Sequence, residues 1–132
     1  MKIKSDFITN SSSTSFVAWG IEKDIYDFKE TYGKSMYKYG IASLIINAVN
    51  CNEDEFMDDF TEYAREIFNS VNIDSDSVCY SDQLMVGVSP VNMKDDQTLA
   101  EFKMDICARF AKIGIILKPS DLQWIEEGWM DN

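Results

Sequence analysis

Carboxylates are the groups of this sequence that offer the most chemistry. The 132-residue chain holds 23 Asp and Glu against 12 Lys and Arg, a formal net charge of −11. Six acids fall within residues 53–62; Glu55 belongs to a predicted helix cap, and the other five are Glu53, Asp54, Asp58, Asp59 and Glu62. Phosphate binding needs a basic surface, so these acids predict a protein partner with a basic surface and no direct nucleic-acid binding. The alternative interpretation is a solvated acidic face that serves solubility only.

The negative charge is confined to the middle of the chain. Residues 51–101 carry a net charge of −11, whereas residues 1–50 carry +1 and residues 102–132 carry −1. If the acids at 53–62 and 74–82 form one continuous face, that face would resemble the charge of a nucleic acid. Scattered acids would favour solubility.

Histidine is missing from the sequence. Its absence excludes Ser-His-Asp and Cys-His catalytic arrangements and imidazole metal ligands. Cys51, Cys79 and Cys107 are an odd, scattered set without a C-x-x-C pair, which favours buried thiols in a reducing cytosol over a disulfide framework or a zinc site. The sequence therefore predicts no enzymatic activity and no cofactor.

Two acidic stretches require a metal test. Asn72, Asp74 and Asp76 have the alternating oxygen spacing of a calcium loop, but the glycine and the bidentate glutamate of that loop are missing, which favours a polar turn. Asp95 and Asp96 fit either a divalent-ion site or a role in stabilising a helix N-terminus. The second interpretation is favoured because no further ligand cluster accompanies them.

The five clustered acids are positioned by a predicted helix. Asn52 followed by Glu55 is typical of a capped helix start. Apolar residues then recur at helical spacing and place the acids mainly on the opposite face. These apolar residues are Phe56, Phe60, Tyr63, Ala64, Ile67, Phe68 and Val71.

Three further helices are predicted. The first begins at Glu22 and ends at Gly33. The second includes Gly40 and is expected to be the most buried, with a wide apolar face. That face consists of Met36, Tyr37, Ile41, Leu44, Ile45 and Ala48. The third opens with the capping pair Thr98 and Glu101 and ends at Gly114.

Strands are predicted from alternation and from β-branched or aromatic content. A hairpin over residues 2–21 turns at the serine-rich run, and the runs SVCYS and LMVGVS form a second hairpin turning at Asp82 and Gln83. Short strands are expected in IGIILKP and in the C-terminal tail. The expected fold is a single α+β domain over residues 1–132, with about three to four helices on a small, mainly antiparallel sheet.

Residues Ser11–Thr14 are four hydroxyl residues in a row. They fit a polar turn better than an anion-binding loop, because the glycine spacing and the lysine of a phosphate loop are missing. The surrounding stretch MKIKSDFITNSSSTSFV resembles the opening of small uncharacterised phage and bacterial proteins, which begin M-K-I-R and continue to a T/S-N-S-S-S-S-S-F-V run. Lys2 to Asp6, Phe7, Asn10 to Ser13, Ser15 and Phe16 match, and Ile8 and Thr14 depart mildly from the pattern.

This resemblance implies provenance rather than mechanism. It points to a phage or mobile-element accessory gene, or to a bacterial relative. The stretch VGVSPVNMKDDQTLAEFK is similar to a later segment in some of these proteins. No activity follows from the resemblance.

Two classes of function are therefore predicted. The first is a non-enzymatic binding protein, such as a phage-encoded inhibitor that presents a nucleic-acid-like acidic surface to a host protein. The second is a small structural or regulatory protein that assembles through an aromatic surface near Trp124, Trp129 and Met130, unless Trp124 docks into the core. No apolar run reaches the ~18 residues of a membrane span and the start lacks an apolar signal region, so a cytoplasmic bacterial location is expected.

Overall fold

The computed structural model of the protein describes residues 15–77 and 82–128. Its strands form one four-stranded sheet in the order β2-β3-β1-β4, and every neighbouring pair is antiparallel. The elements are β1 Ser15–Asp24, α1 Ile25–Phe28, a π-helical turn Lys29–Gly33, α2 Lys34–Lys38, α3 Gly40–Ala48, α4 Glu53–Asp58, α5 Phe60–Ser70, β2 Asp74–Ser77, β3 Gln83–Val88, α6 Leu99–Lys112 and β4 Gln123–Gly128. Short 3₁₀ turns lie at Pro90–Asn92 and Pro119–Asp121.

The central strand β1 organises the sheet. Its residue Trp19 is paired with Val88 of β3 on one side and with Trp124 of β4 on the other. Because side chains alternate along a strand, Trp19 and Ile21 face the helices and join the main core. Phe16 and Ala18 face the opposite side, where they form a second buried cluster with two residues of the neighbouring strands, Met85 and Ile125.

The main core is built from phenylalanines supplied by the helices. Phe28 of α1 lies 5.9 Å from Phe68 of α5, and Phe68 lies 6.3 Å from Phe110 of α6, as measured between ring centroids. Aromatic side chains contribute large buried areas, and edge-to-face pairs add to the stability that burial alone provides. The fully buried phenylalanines are Phe28, Phe56, Phe60, Phe68, Phe102 and Phe110.

The predicted α+β class and mainly antiparallel sheet are confirmed. The strand predicted in SFVAWGI is β1, the strand in LMVGVS lies within β3, and the strand in the tail is β4. Both predicted capping boxes are present, at Asn52–Glu55 and Thr98–Glu101. The first strand of the predicted N-terminal hairpin lies outside the described residues, as does most of SVCYS.

The helical residues are divided differently from the prediction. The helix predicted from Glu22 begins only at Ile25, because β1 continues to Asp24. The Asp24 carboxylate accepts a hydrogen bond from the backbone N–H of Tyr26 at 2.8 Å and so caps the helix. Gly33 does not end this helix. Gly33 is buried in a continuous helical stretch that reaches Lys38. Because Gly33 has no side chain, the Met57 side chain packs against it.

The real break comes at Tyr39 and Gly40. Tyr39 is extended (φ −128°, ψ 154°) and Gly40 has φ +72°, a conformation that L side chains rarely adopt. A Cβ on Gly40 would also collide with the carbonyl oxygen of Lys112 at the end of α6. The single helix predicted through Gly40 is therefore wrong, and α2 and α3 are separate helices.

Two local predictions around the sheet are also wrong. Asp74–Ser77, predicted as a loop, is the edge strand β2, which pairs with β3. The segment IGIILKP is not a strand; Gly114 has φ +89° and Ile115 is buried against the helices instead.

Candidate protein-interaction surface

The five predicted acids lie on two short helices rather than on one. Glu53, Asp54 and Asp58 belong to α4, Asp59 occupies the break between the helices (φ −110°, ψ 36°), and Glu62 lies in the first turn of α5. The break separates Asp58 from Glu62, so these two acids are not neighbours within one helix. Asp54 and Asp58 do share a helix at the spacing where like charges repel.

The acids are on the surface, as predicted. Asp54, Asp58, Asp59 and Glu62 are exposed and Glu53 is half-buried. The apolar side of the same two helices is buried in the core through Phe56, Phe60, Ala64, Ile67 and Phe68. We call these five acids the acidic surface. Their burial pattern follows from the helical spacing that the sequence shows.

Few cations compensate this charge. Within residues 15–77 and 82–128, the ion pair between side chains is Arg109 with Asp105 on α6, at 2.9 Å. Lys29 lies close to the acidic surface, where its ammonium donates to the carbonyl of Met57 at 2.9 Å and so stabilises the last turn of α4. No ion pair between these five acids and a described Lys or Arg is therefore present.

A buried thiol lies beneath α4 and α5. Cys51 is buried, its carbonyl accepts a hydrogen bond from the Tyr37 hydroxyl at 3.3 Å, and its side chain is hydrogen-bonded to Tyr63. This hydrogen bond raises the pKa of Tyr63 to about 12, with partial burial and the negative charges of Glu55 and Asp59 adding to the effect. The cluster links the segment before α4 to α5 and keeps the thiol away from solvent.

The sites tested for metals have other structural roles. Asp74 and Asp76 lie in β2, where an extended strand cannot wrap around an ion as a calcium loop does. Asp95 and Asp96 are exposed in the turn before α6, whose first turn contains Glu101 as its acidic residue. Among the described residues, no group of three or more His, Cys, Asp or Glu could hold a metal ion.

A small cavity lies between α5 and the edge strand β2. Its volume is about 210 Å³ and its polar lining includes Thr61, Arg65, Ser75 and Asp76. Pockets for small molecules usually have volumes of about 300 Å³ or more. This cavity is therefore small for a ligand or cofactor site.

The aromatic candidate is positioned by β4. Trp124 is 46% exposed and packs edge-on against Trp19, with the ring centroids 5.5 Å apart. The ammonium of Lys103 lies 4.0 Å from the centroid of the Trp19 ring, a cation–π contact. Trp124 thus lies on the sheet rather than deep in the core, and half of it is available for contact. Trp129 and Met130 lie outside the described residues.

The predicted apolar face of Met36, Tyr37, Ile41, Leu44, Ile45 and Ala48 is confirmed only in part: Met36 is buried and Tyr37 and Ile45 pack against the core, but the other three are exposed. Leu44 is 68% exposed and Ile41 is 36% exposed, whereas Ala42 and Ile46 face the core. Because α3 is apolar on nearly every side and carries no charged residue, periodicity could not identify the buried side. Four exposed apolar residues lie on α3 and at its two ends. We call them the α3 apolar surface: Tyr39, Ile41, Leu44 and Val49.

No helix in the described ranges has the length and apolar character required to cross a membrane. No family model matches the chain, and searches of curated proteins and of solved structures found no match either.

Proposed function

We propose that this protein is a non-enzymatic binding protein that meets a basic protein partner through the acidic surface. The observation that carries the proposal is the exposure of Asp54, Asp58, Asp59 and Glu62 on helices whose other side is locked into the core. Such a surface attracts a basic partner at long range and accelerates association.

The resemblance of the N-terminal sequence extends this proposal. A phage or mobile-element protein that acts in the bacterial cytoplasm would use the acidic surface as an inhibitor, occupying a host surface that otherwise binds nucleic acid. The acids at 53–62 would then compete with phosphates for the same basic residues.

The test removes the charge without disturbing the core. The variant Asp54→Asn, Asp58→Asn, Asp59→Asn and Glu62→Gln is compared with the parent. A matched control, Asp27→Asn, Asp95→Asn, Asp96→Asn and Glu126→Gln, removes the same number of acids from exposed positions outside residues 53–62 and 74–82. Each protein is immobilised and exposed to a bacterial lysate at low and at high salt, and each captured partner is then purified for association kinetics.

We expect the acidic-surface variant to associate at least about tenfold more slowly at about 0.1 M salt, while the control stays close to the parent. A duplex DNA fragment should displace the partner if the partner surface binds nucleic acid. Equal binding by the two variants, with unchanged salt dependence, would refute the proposal.

The alternative function is assembly through the aromatic surface. The specific observation in its favour is the half-exposed Trp124 packed on Trp19. Trp124→Ala should then abolish binding that survives loss of the acids, which separates the two functions.

A further inference from the structure

We propose that the α3 apolar surface is the contact between two copies of this chain, which pack with their α3 helices antiparallel across a two-fold axis near Leu44. This contact does not depend on the proposed function. Three observations support this contact. The apolar side chains of α3 are exposed, the two ends of the helix carry opposite charges, and an antiparallel arrangement places the lysines of one copy opposite the acids of the other.

The exposed residues of α3 are Gly40, Ile41, Leu44, Asn47 and Ala48, so its exposed side is largely apolar and is interrupted by Asn47. Ile41 and Leu44 lie on one stripe of the helix, one turn apart, and Val49 follows at its C-terminal end with 58% of its surface exposed. Ile116 extends the surface at the N-terminal end. It is 77% exposed and lies two residues after Gly114, whose amide is 3.3 Å from the position of a Cβ on Gly40. Exposed apolar side chains that cluster in this way indicate an interaction site more strongly than singly scattered ones do.

The two ends of α3 carry opposite charges. Lys38 precedes Gly40 by two residues, and the Lys112 carbonyl lies against Gly40; both lysines are exposed. At the other end, Glu53 follows Val49 by four residues, so their Cα atoms are at most about 14 Å apart. Glu53 and the exposed Asp54 therefore lie within one short connection of the C-terminal end of the α3 apolar surface.

An antiparallel pair buries the apolar residues of both copies and also brings their opposite charges together. The α3 helix of nine residues is about 13 Å long, so two copies that cross near Leu44 place the lysine end of each opposite the acidic end of the other. A two-fold contact uses the same surface on both copies, and this is the commonest arrangement among protein oligomers. A uniformly basic partner would match the acidic end but would meet Lys38 and Lys112 at the other end.

The first test is sedimentation of the full chain over a range of concentrations. We expect a dimer that dissociates on dilution. Ile41→Ser with Leu44→Ser should weaken it at least about tenfold, because those side chains lose their apolar burial. The control Met104→Ser removes an apolar side chain of α6 that is 62% exposed and should leave the dimer unchanged. Thermal unfolding of each variant checks that the fold is intact.

A second test addresses orientation. Lys38→Glu should weaken the dimer, and adding Asp54→Lys should restore part of the loss, because the reversed charges again face each other. In addition, Leu44→Cys should form a disulfide between copies on mild oxidation, whereas Met104→Cys should not.

Three results would overturn the proposal: a chain that is monomeric at every concentration, a dimer that Ile41→Ser with Leu44→Ser leaves intact, or charge reversal without effect or rescue. The first two results bear on the dimer alone, because Ile41→Ser with Leu44→Ser keeps every carboxylate of the acidic surface. Asp54 belongs to the acidic surface, so the charge-reversal variants are compared by sedimentation only and not by partner binding. Loss of a basic partner in the acidic-surface variant would still support the proposed function.

Discussion

At the scale of single residues, the pair Cys51 and Tyr63 shows how the acidic helices are held. The thiol is buried just before α4, and the hydrogen bond between its side chain and Tyr63 links that position to α5. Tyr37 adds a hydrogen bond to the carbonyl of Cys51 from α2. Three segments thus meet at Cys51, and the sulfur itself donates to the Asn52 carbonyl at 3.4 Å and is hydrogen-bonded to Tyr63.

The raised pKa of Tyr63 gives a testable pH dependence. Its pKa is about 12 in the fold and 10.0 in an ordinary tyrosine, so between these values the unfolded chain releases the proton and the folded chain keeps it. The stabilisation is therefore fully present below pH 10 and is lost as the pH rises through about 12. Burial also raises the pKa of Tyr32, so the titration of tyrosinate absorbance is done on Tyr32→Phe protein. There it should show one late transition, which Tyr63→Phe removes and Cys51→Ala moves toward lower pH. Tyr26→Phe, at an exposed position, should leave the late transition in place; its loss there would contradict the assignment.

At the scale of elements, the junction between α2 and α3 depends on Gly40. Its positive φ and its contact with the Lys112 carbonyl both exclude a side chain. Ser35 reinforces the same junction by donating to the carbonyl of Gly114 at 2.5 Å. The end of α6 and the start of α3 are therefore fixed against each other.

Gly40→Ala should lower the free energy of unfolding by about 1 to 3 kcal/mol, because alanine is strained at this φ and its Cβ meets backbone. Gly33→Ala is the matched comparison. Its neighbour is the flexible Met57 side chain and its backbone is helical, so we expect a change within about 1 kcal/mol. Urea denaturation of both variants measures the difference, and equal losses would contradict the role assigned to Gly40.

Elements that are determined by residues close together in the sequence were predicted correctly. The capping pairs at Asn52 and Thr98 define helix starts through bonds within four residues, and the apolar stripe of α5 follows directly from spacing. The predictions are wrong where contacts between distant residues determine the local structure. The segment Asp74–Ser77 is polar, and it is extended because it pairs with β3. The buried side of α3 is determined by packing, since both sides of that helix are apolar. The position of the acidic surface was predictable from spacing, whereas the break at Asp59 was not; binding by that surface stays a prediction.

At the scale of the whole molecule, charge and apolar surface are segregated. The net charge of −11 is concentrated in the middle of the sequence, while the α3 apolar surface carries no charge of its own. Self-repulsion of such a charge destabilises the compact state, and salt reduces the repulsion. The Debye length falls from about 30 Å at 0.01 M salt to about 3 Å at 1 M.

Salt should therefore stabilise the parent more than the acidic-surface variant. We expect the parent's free energy of unfolding to rise by about 0.5 to 1 kcal/mol between these two salt concentrations, since each screened like-charge contact contributes a few tenths of a kcal/mol. The variant that replaces Asp54, Asp58, Asp59 and Glu62 has a net charge of −7, so its rise should be smaller. The matched control removes equally many acids from dispersed positions, so its rise should lie between the other two. Denaturant titrations at one fixed protein concentration provide the comparison. Equal rises in both variants would show that total charge, rather than its clustering on α4 and α5, determines the repulsion.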